Sequence, residues 1–227
     1  MKIGMIDLVQ FLIGYAFFLL SASVHESSHA WTAFKFGDPT AKLQNRISLN
    51  PVNHIDLLGT VIIPFMVFLS GIPIIGWAKP TPVNPANFQN PRRDGMYVSG
   101  AGPVSNLLVV AVLAVFWHIA ASMTAPAMSG RYIALLFCYV FSTGILINLS
   151  LAIFNMMPIY PLDGSGVLEG LLPLSLAKAY SKLRPFGFII LLVVFYVPAF
   201  RDVIWTGVAI MFSLLGIKYF PLKNIWG

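Results

Sequence analysis

The stretch Val24-His25-Glu26-Ser27-Ser28-His29-Ala30 lies near the end of an almost wholly apolar run that begins at Leu8, not in a polar loop. On a helix, His25 and His29 are four residues apart and share one face, where two imidazoles can bind one zinc ion while Glu26 approaches a bound water. Burying two histidines and a glutamate in a membrane span is costly, and ionisable groups placed there mark function. The chain therefore reads outward from an embedded metal site. Its first helix is expected to continue through the motif to about Phe36, where Gly37-Asp38-Pro39 stops it.

Composition agrees with a membrane setting. Of 227 residues, 58% are hydrophobic and 10% charged, and the mean hydropathy is +0.82, all far from a soluble domain. The net charge of +6 would suggest nucleic acid in a soluble protein. Here the basic residues sit between apolar runs, a positive-inside pattern, so no nucleic-acid partner is expected. The first apolar run carries the histidine motif and is too long for a discarded signal sequence, so it is expected to stay. The single cysteine, Cys138, lies in an apolar stretch and offers neither a disulfide nor a thiolate cluster.

Beyond the first span, the alternation around Arg46-Ile47-Ser48-Leu49 suggests a short strand. Residues 57–75 are long enough to cross, yet Pro64, Gly71, Pro73 and Gly76 interrupt them, as in a broken or re-entrant segment. Gly100-Ala101-Gly102-Pro103 reads as a turn into a helix, with spans expected at about 98–122 and 132–154. The second of these runs into Asn155-Met156-Met157-Pro158-Ile159-Tyr160-Pro161-Leu162-Asp163-Gly164. A short interfacial helix over 166–180 and apolar runs at 186–200 and 203–220 complete the chain, which is expected to form one domain over residues 1–227.

A catalytic zinc site usually takes three protein ligands and leaves a position for water. Among the remaining acids Asp163 stands out, because it follows a span broken by Pro158 and Pro161, and irregular backbone at membrane depth is tolerated only where protein covers it or a cavity adjoins it. Together the two motifs resemble the signatures of the site-2 protease family of intramembrane zinc metalloproteases, H-E-x-x-H and N-x-x-P-x-x-x-L-D-G. His25, Glu26 and His29 match the first; Asn155, Pro158, Leu162, Asp163 and Gly164 match the second. Gly102-Pro103-Val104-Ser105-Asn106 is similar to the family's helix-opening G-P motif.

The resemblance implies one Zn²⁺ per chain held by His25, His29 and Asp163, with Glu26 as general base. It also implies cleavage of transmembrane protein substrates within the lipid bilayer, without PDZ or CBS domains. An exposed strand at residues 43–49 or 77–84 is expected to hold an unwound substrate segment by strand addition. Supporting or substrate-binding roles are open for Asn155, Pro158, Gly164 and His54. For Asn155 the alternative is capping a helix end, and for His54 a hydrogen-bonded loop position. Ser105 and Asn106 read as polar contacts between helices.

Histidines and aspartate must meet at one depth. This requires residues 57–75 to enter and leave on the side where the first span ends. That count gives an all-α polytopic membrane protein with five full spans plus one re-entrant or broken segment, six if it crosses, and small β-strand elements near the cytoplasmic face. It puts all but Lys2, Arg131 and Arg201 of the 14 Lys and Arg on the motif's side, making that side cytoplasmic and the location the cell (inner) membrane. A membrane metal-ion transporter is the competing reading. It predicts a polar track across the bilayer, whereas the polar groups here gather near one face.

Overall fold

The computed structural model describes residues 4–70, 76–124 and 130–218. Nine α-helices follow in order among them: α1 (Met5–Lys35), α2 (Thr40–Leu43), α3 (Ile63–Ser70), α4 (Pro91–Ser122), α5 (Arg131–Asn155), α6 (Asp163–Leu171), α7 (Leu174–Ser181), α8 (Gly187–Tyr196) and α9 (Pro198–Leu214). Three of them, α1, α4 and α5, are long and apolar enough to cross a bilayer. Helix α4 is the hub, with α1, α5 and α6 packed against it. Close approach is possible because Gly144 on α5 carries no Cβ, which would otherwise lie 2.5 Å from the Phe17 ring and 2.8 Å from Leu113. Between α4, α5 and α9 the core is apolar, built from Val110, Ala114, Trp117, Cys138, Ile145, Leu149 and Val208.

The expectation of five full spans is corrected. At most four crossings are present among the described residues, the fourth only if a pair bent by 95°, Leu174–Val194 with Pro198–Leu214, counts as one. Apolar length alone misled at this point. Pro198 lacks an N–H and opens a new helix after extended Val197 (ψ 117°), so residues 187–214 break into the 10-residue α8 and the 17-residue α9. At about 1.5 Å per residue, neither reaches the roughly 30 Å of hydrocarbon by itself.

The segment 57–70 begins as a π-helix over Leu57–Ile62 and tightens into α3. Its 14 residues are shorter than a span. The rest of the expected interruption, residues 71–75, lies outside the described residues. Lys79 N–H donates to the His54 carbonyl (2.9 Å) and Trp77 N–H to that of Gly59 (3.1 Å), so the chain after the segment comes back beside the chain before it.

No strand forms among the described residues, which corrects the second part of the expectation. Residues 40–43 are helical, and Asn45 takes a left-handed turn (φ 54°) that ends any alternation before it starts. Residues 77–84 form neither helix nor strand. The N–H groups of Trp77, Lys79 and Thr81 turn into the protein, while Pro80 and Pro82 at the alternate positions have no N–H to offer a neighbour.

Two helix boundaries also moved. Gly100 to Pro103 lie inside α4, not at its start, because Asn90 caps the helix ten residues earlier, its Oδ1 accepting from Arg93 N–H at 3.2 Å while Asp94 Oδ2 accepts from Asn90 N–H at 2.9 Å. The expected single helix over 166–180 is two, α6 and α7, separated at Leu172-Pro173.

Candidate metal centre

The buried face of α1 repeats every four residues as Ser21, His25, His29 and Ala33. The neighbouring hydroxyls of Ser23 and Ser28 donate to the carbonyls of Leu19 and Val24 (2.7 Å each) and leave no unmet polar demand on the helix. Asp163 arrives from the other direction as the first residue of α6, after the turn that ends α5. Its Oδ2 lies 3.0 Å from His25 Nε2 and 3.3 Å from His29 Nε2. The two imidazoles stand nearly perpendicular, 81° between planes with centroids 4.7 Å apart.

The opposite ring nitrogens fix the chemistry of this cluster. His25 Nδ1 donates to Asn106 Oδ1 and His29 Nδ1 to the Val98 carbonyl, both at 2.6 Å. Both acceptors put the proton on Nδ1 and leave the Nε2 lone pairs facing Asp163. Asp163 Oδ2 is buried and accepts no hydrogen bond. Two lone pairs and a carboxylate oxygen directed at one place repel each other unless a cation lies between them, and an N₂O donor set is the kind zinc accepts. The residues present therefore fit a metal ion, and this trio is the one group of its type among the described residues.

Helix α4 closes the site from above. A Cβ at Gly102 would overlap His29 Nε2 and lie 2.6 Å from His25 Nε2, so only glycine lets α4 come this close. Behind His25, Asn106 Nδ2 donates to Asn148 Oδ1 (2.8 Å) and the Ser21 carbonyl (3.3 Å). Asn148 Nδ2 donates to Ser21 Oγ (2.8 Å) and the Gly144 carbonyl (2.9 Å). Asn106 and Asn148 are fully buried. This relay ties α1, α4 and α5 together directly behind a ring nitrogen of the cluster, where such outer partners set the tautomer and orientation of a ligating histidine.

Glu26 faces a different partner. Its Oε2 accepts from Thr81 N–H at 2.8 Å and from Thr81 Oγ1 at 2.7 Å.

The other sequence-selected residues stay outside the trio. Asn155 Nδ2 donates to the Leu151 carbonyl of its own helix at 3.0 Å, the helix-end alternative. Pro158 accepts from Tyr180 Oη at 2.9 Å. Gly164 is required for packing, since a Cβ there would overlap the Met156 backbone and lie 2.5 Å from the Met157 carbonyl oxygen. His54 is buried with Nε2 2.7 Å from the Ser48 carbonyl. Burial, helped by nearby Arg46, holds its pKa below the ordinary value despite that hydrogen bond. A cavity of about 390 Å³ opens beside Asp163, walled by Ser99, Tyr160, Leu162, Ser165 and Arg184.

Comparison with known proteins decides what kind of chain carries this centre. The chain is 39% identical over 190 residues to the Bacillus subtilis (strain 168) protein named "Putative zinc metalloprotease YwhC", covering 82% of this chain and 81% of that protein. The chain belongs to the site-2 protease family. The Rip2 proteins of Mycolicibacterium smegmatis and Mycobacterium tuberculosis H37Rv, which bear the same kind of name, are each 28% identical over 92% of this chain and 76% of their own length. No family model and no solved structure matches. Membership in a family of zinc metalloproteases gives the transporter reading no support. In this site-2 protease family member, three supporting residues had a weak signal or none in the sequence. Asn106 read only as an interhelical contact. Asn148 and Thr81 were single polar residues without a motif.

Proposed function

We propose that this membrane metalloprotease is a site-2-type endopeptidase, cleaving peptide bonds within or near the transmembrane segments of other membrane proteins, with its active site toward the cytoplasmic side of the cell membrane. The observation that carries the reading is the convergence of His25 Nε2, His29 Nε2 and Asp163 Oδ2, with Glu26 one residue from the first ligand on the same helix.

In this reading His25, His29 and Asp163 would hold one zinc ion, which would supply Lewis acidity and lower the pKa of water to roughly 7. Glu26 accepts the proton of the attacking water and returns it to the leaving amine. Thr81 occupies Oε2 through two donors, which leaves Oε1 for the proton. Asn106 and the Val98 carbonyl keep both Nδ1 atoms protonated, so the imidazoles present lone pairs and not N–H groups to the metal. Substrate helices must unwind before attack, because their amides are tied up in internal hydrogen bonds.

Comparing the membrane-protein fragments of cells that carry the parent chain with those that carry Glu26→Gln tests the proposal. Fragments ending within or beside membrane spans should appear only with the parent. Identical fragment sets from both would refute it.

A further inference from the structure

The segment 77–84 passes beside Glu26, and the N–H groups of Trp77, Lys79, Thr81 and Asn84 are all taken by acceptors of the protein. Trp77 N–H is taken by the Gly59 carbonyl and Lys79 N–H by that of His54. The Trp77 carbonyl accepts from Thr60 Oγ1 at 3.0 Å. Thr81 N–H is taken by Glu26, and Asn84 N–H by Asp38 Oδ2 at 2.7 Å. The outward positions 80 and 82 are prolines. An edge without donors at positions 80 and 82 is poorly suited to pairing with an added strand. The segment is therefore organised to face the protein, and Glu26 is what it meets there.

Arg46 is what holds it. Only 3% of this side chain is exposed, and its guanidinium donates to the carbonyls of Asn53, Lys79 and Pro80, the last at 3.0 Å. Those are the two carbonyls immediately before Thr81. Nη2 donates to both consecutive carbonyls while Nη1 holds the Asn53 carbonyl, so the planar guanidinium ties the chain just before Thr81 to a second loop and sets where the Thr81 N–H and hydroxyl lie. The hydroxyl is also 2.9 Å from the Glu26 backbone carbonyl, which places Thr81 across both the side chain and the main chain of the same residue. A buried cation whose two terminal nitrogens donate to loop carbonyls, beside a carboxylate that receives two donors from that same loop, is a bracket.

We infer that Thr81, locked in place by Arg46, is the positioning residue that holds the Glu26 carboxylate in its working orientation. This rests on the reading of Glu26 as general base. The bracket engages one carboxylate oxygen and spares the other, so the carboxylate is fixed in rotation without losing its proton acceptor. It also gives residues 77–84 a role different from substrate pairing: loss of Thr81 acts on turnover and not on substrate affinity.

The test uses the full chain in detergent and in proteoliposomes. The probe is a synthetic single-span apolar peptide carrying a fluorophore–quencher pair and a central Gly-Asn helix break. Thr81→Val removes the hydroxyl and keeps the shape; kcat should fall on the order of tenfold to 100-fold, the scale of a misplaced reacting group, with KM unchanged. Thr81→Ser should restore it, zinc content should not change, and Arg46→Lys should lower kcat in the same way. A second readout needs no activity: in metal-free protein Thr81→Val should lower Tm more in the parent than in a Glu26→Leu background, which keeps only the bond to the residue-26 carbonyl. A raised KM with kcat intact, or an equal loss of Tm in both backgrounds, would overturn the positioning role. If the parent and Glu26→Gln cleave the probe alike, the protease reading fails, and the Tm comparison still decides whether Thr81 acts through Glu26.

Discussion

Replacing Asn106 by leucine removes the acceptor for His25 Nδ1–H and the donor to Asn148 Oδ1 in one step. Both partners are buried, His25 at 6% exposure and Asn148 at 0%, so water cannot replace what is lost. Each orphaned group costs about 1–3 kcal/mol, which places the loss of fold stability at about 2–6 kcal/mol. The metal should feel a separate effect. Without its partner, His25 can rotate or place its proton on Nε2, and loss of such an outer contact typically weakens metal binding about 10–100-fold. The assay is competition for zinc against a chelator of known affinity, on purified protein in lipid nanodiscs, with thermal unfolding followed in parallel. Asn155→Leu is the control, because Asn155 bonds only its own helix at the Leu151 carbonyl. Asn106→Leu protein that folds and binds zinc within about twofold of the parent would refute the argument that the relay orients His25.

Other outcomes follow from the same geometry. Glu26→Gln should abolish peptide cleavage while zinc remains at one per chain by elemental analysis, since Glu26 lies outside the ligand trio. Gly102→Ala should weaken zinc binding in the chelator assay, because its methyl would overlap the His29 ring; Gly95→Ala, with nothing within 4 Å, should not. His54 is held below its ordinary pKa by burial and by Arg46. The folded chain thus binds that proton less tightly than the unfolded chain, and this contribution to stability is complete above pH 6.5 and falls as the pH drops below it. His54→Gln should flatten the Tm-against-pH curve below pH 6.5.

The candidate centre is legible in the sequence as far as its chemistry is local. His25, Glu26 and His29 need only helical spacing to declare themselves, and Asp163 is conspicuous after the two prolines of a span end. The number of crossings was not legible, because an apolar run looks the same whether or not a proline such as Pro198 splits it into two short helices at an angle. Strand patterns at 43–49 and 77–84 were misleading for a related reason. Alternation records which side chains face inward, while pairing depends on free backbone donors, and Pro80 and Pro82 remove them.

The supporting residues were hidden by distance along the chain. Arg46 looks like one more positive-inside charge until its guanidinium is found on the carbonyls of Asn53, Lys79 and Pro80. Thr81 carries no pattern at all, and its partner is 55 residues away. Asn148 is a polar residue inside a span, a hint of function, but only the contact with Asn106 connects it to His25.

The central claim, that His25, His29 and Asp163 form a zinc centre, is tested most directly by zinc K-edge absorption spectroscopy on the purified chain, with zinc counted on the same sample. The account predicts one zinc per chain with two imidazole nitrogens at about 2.0–2.1 Å and oxygen donors completing the shell, and loss of that signal in Asp163→Ala. Absence of zinc, or a zinc shell without imidazole, would contradict it.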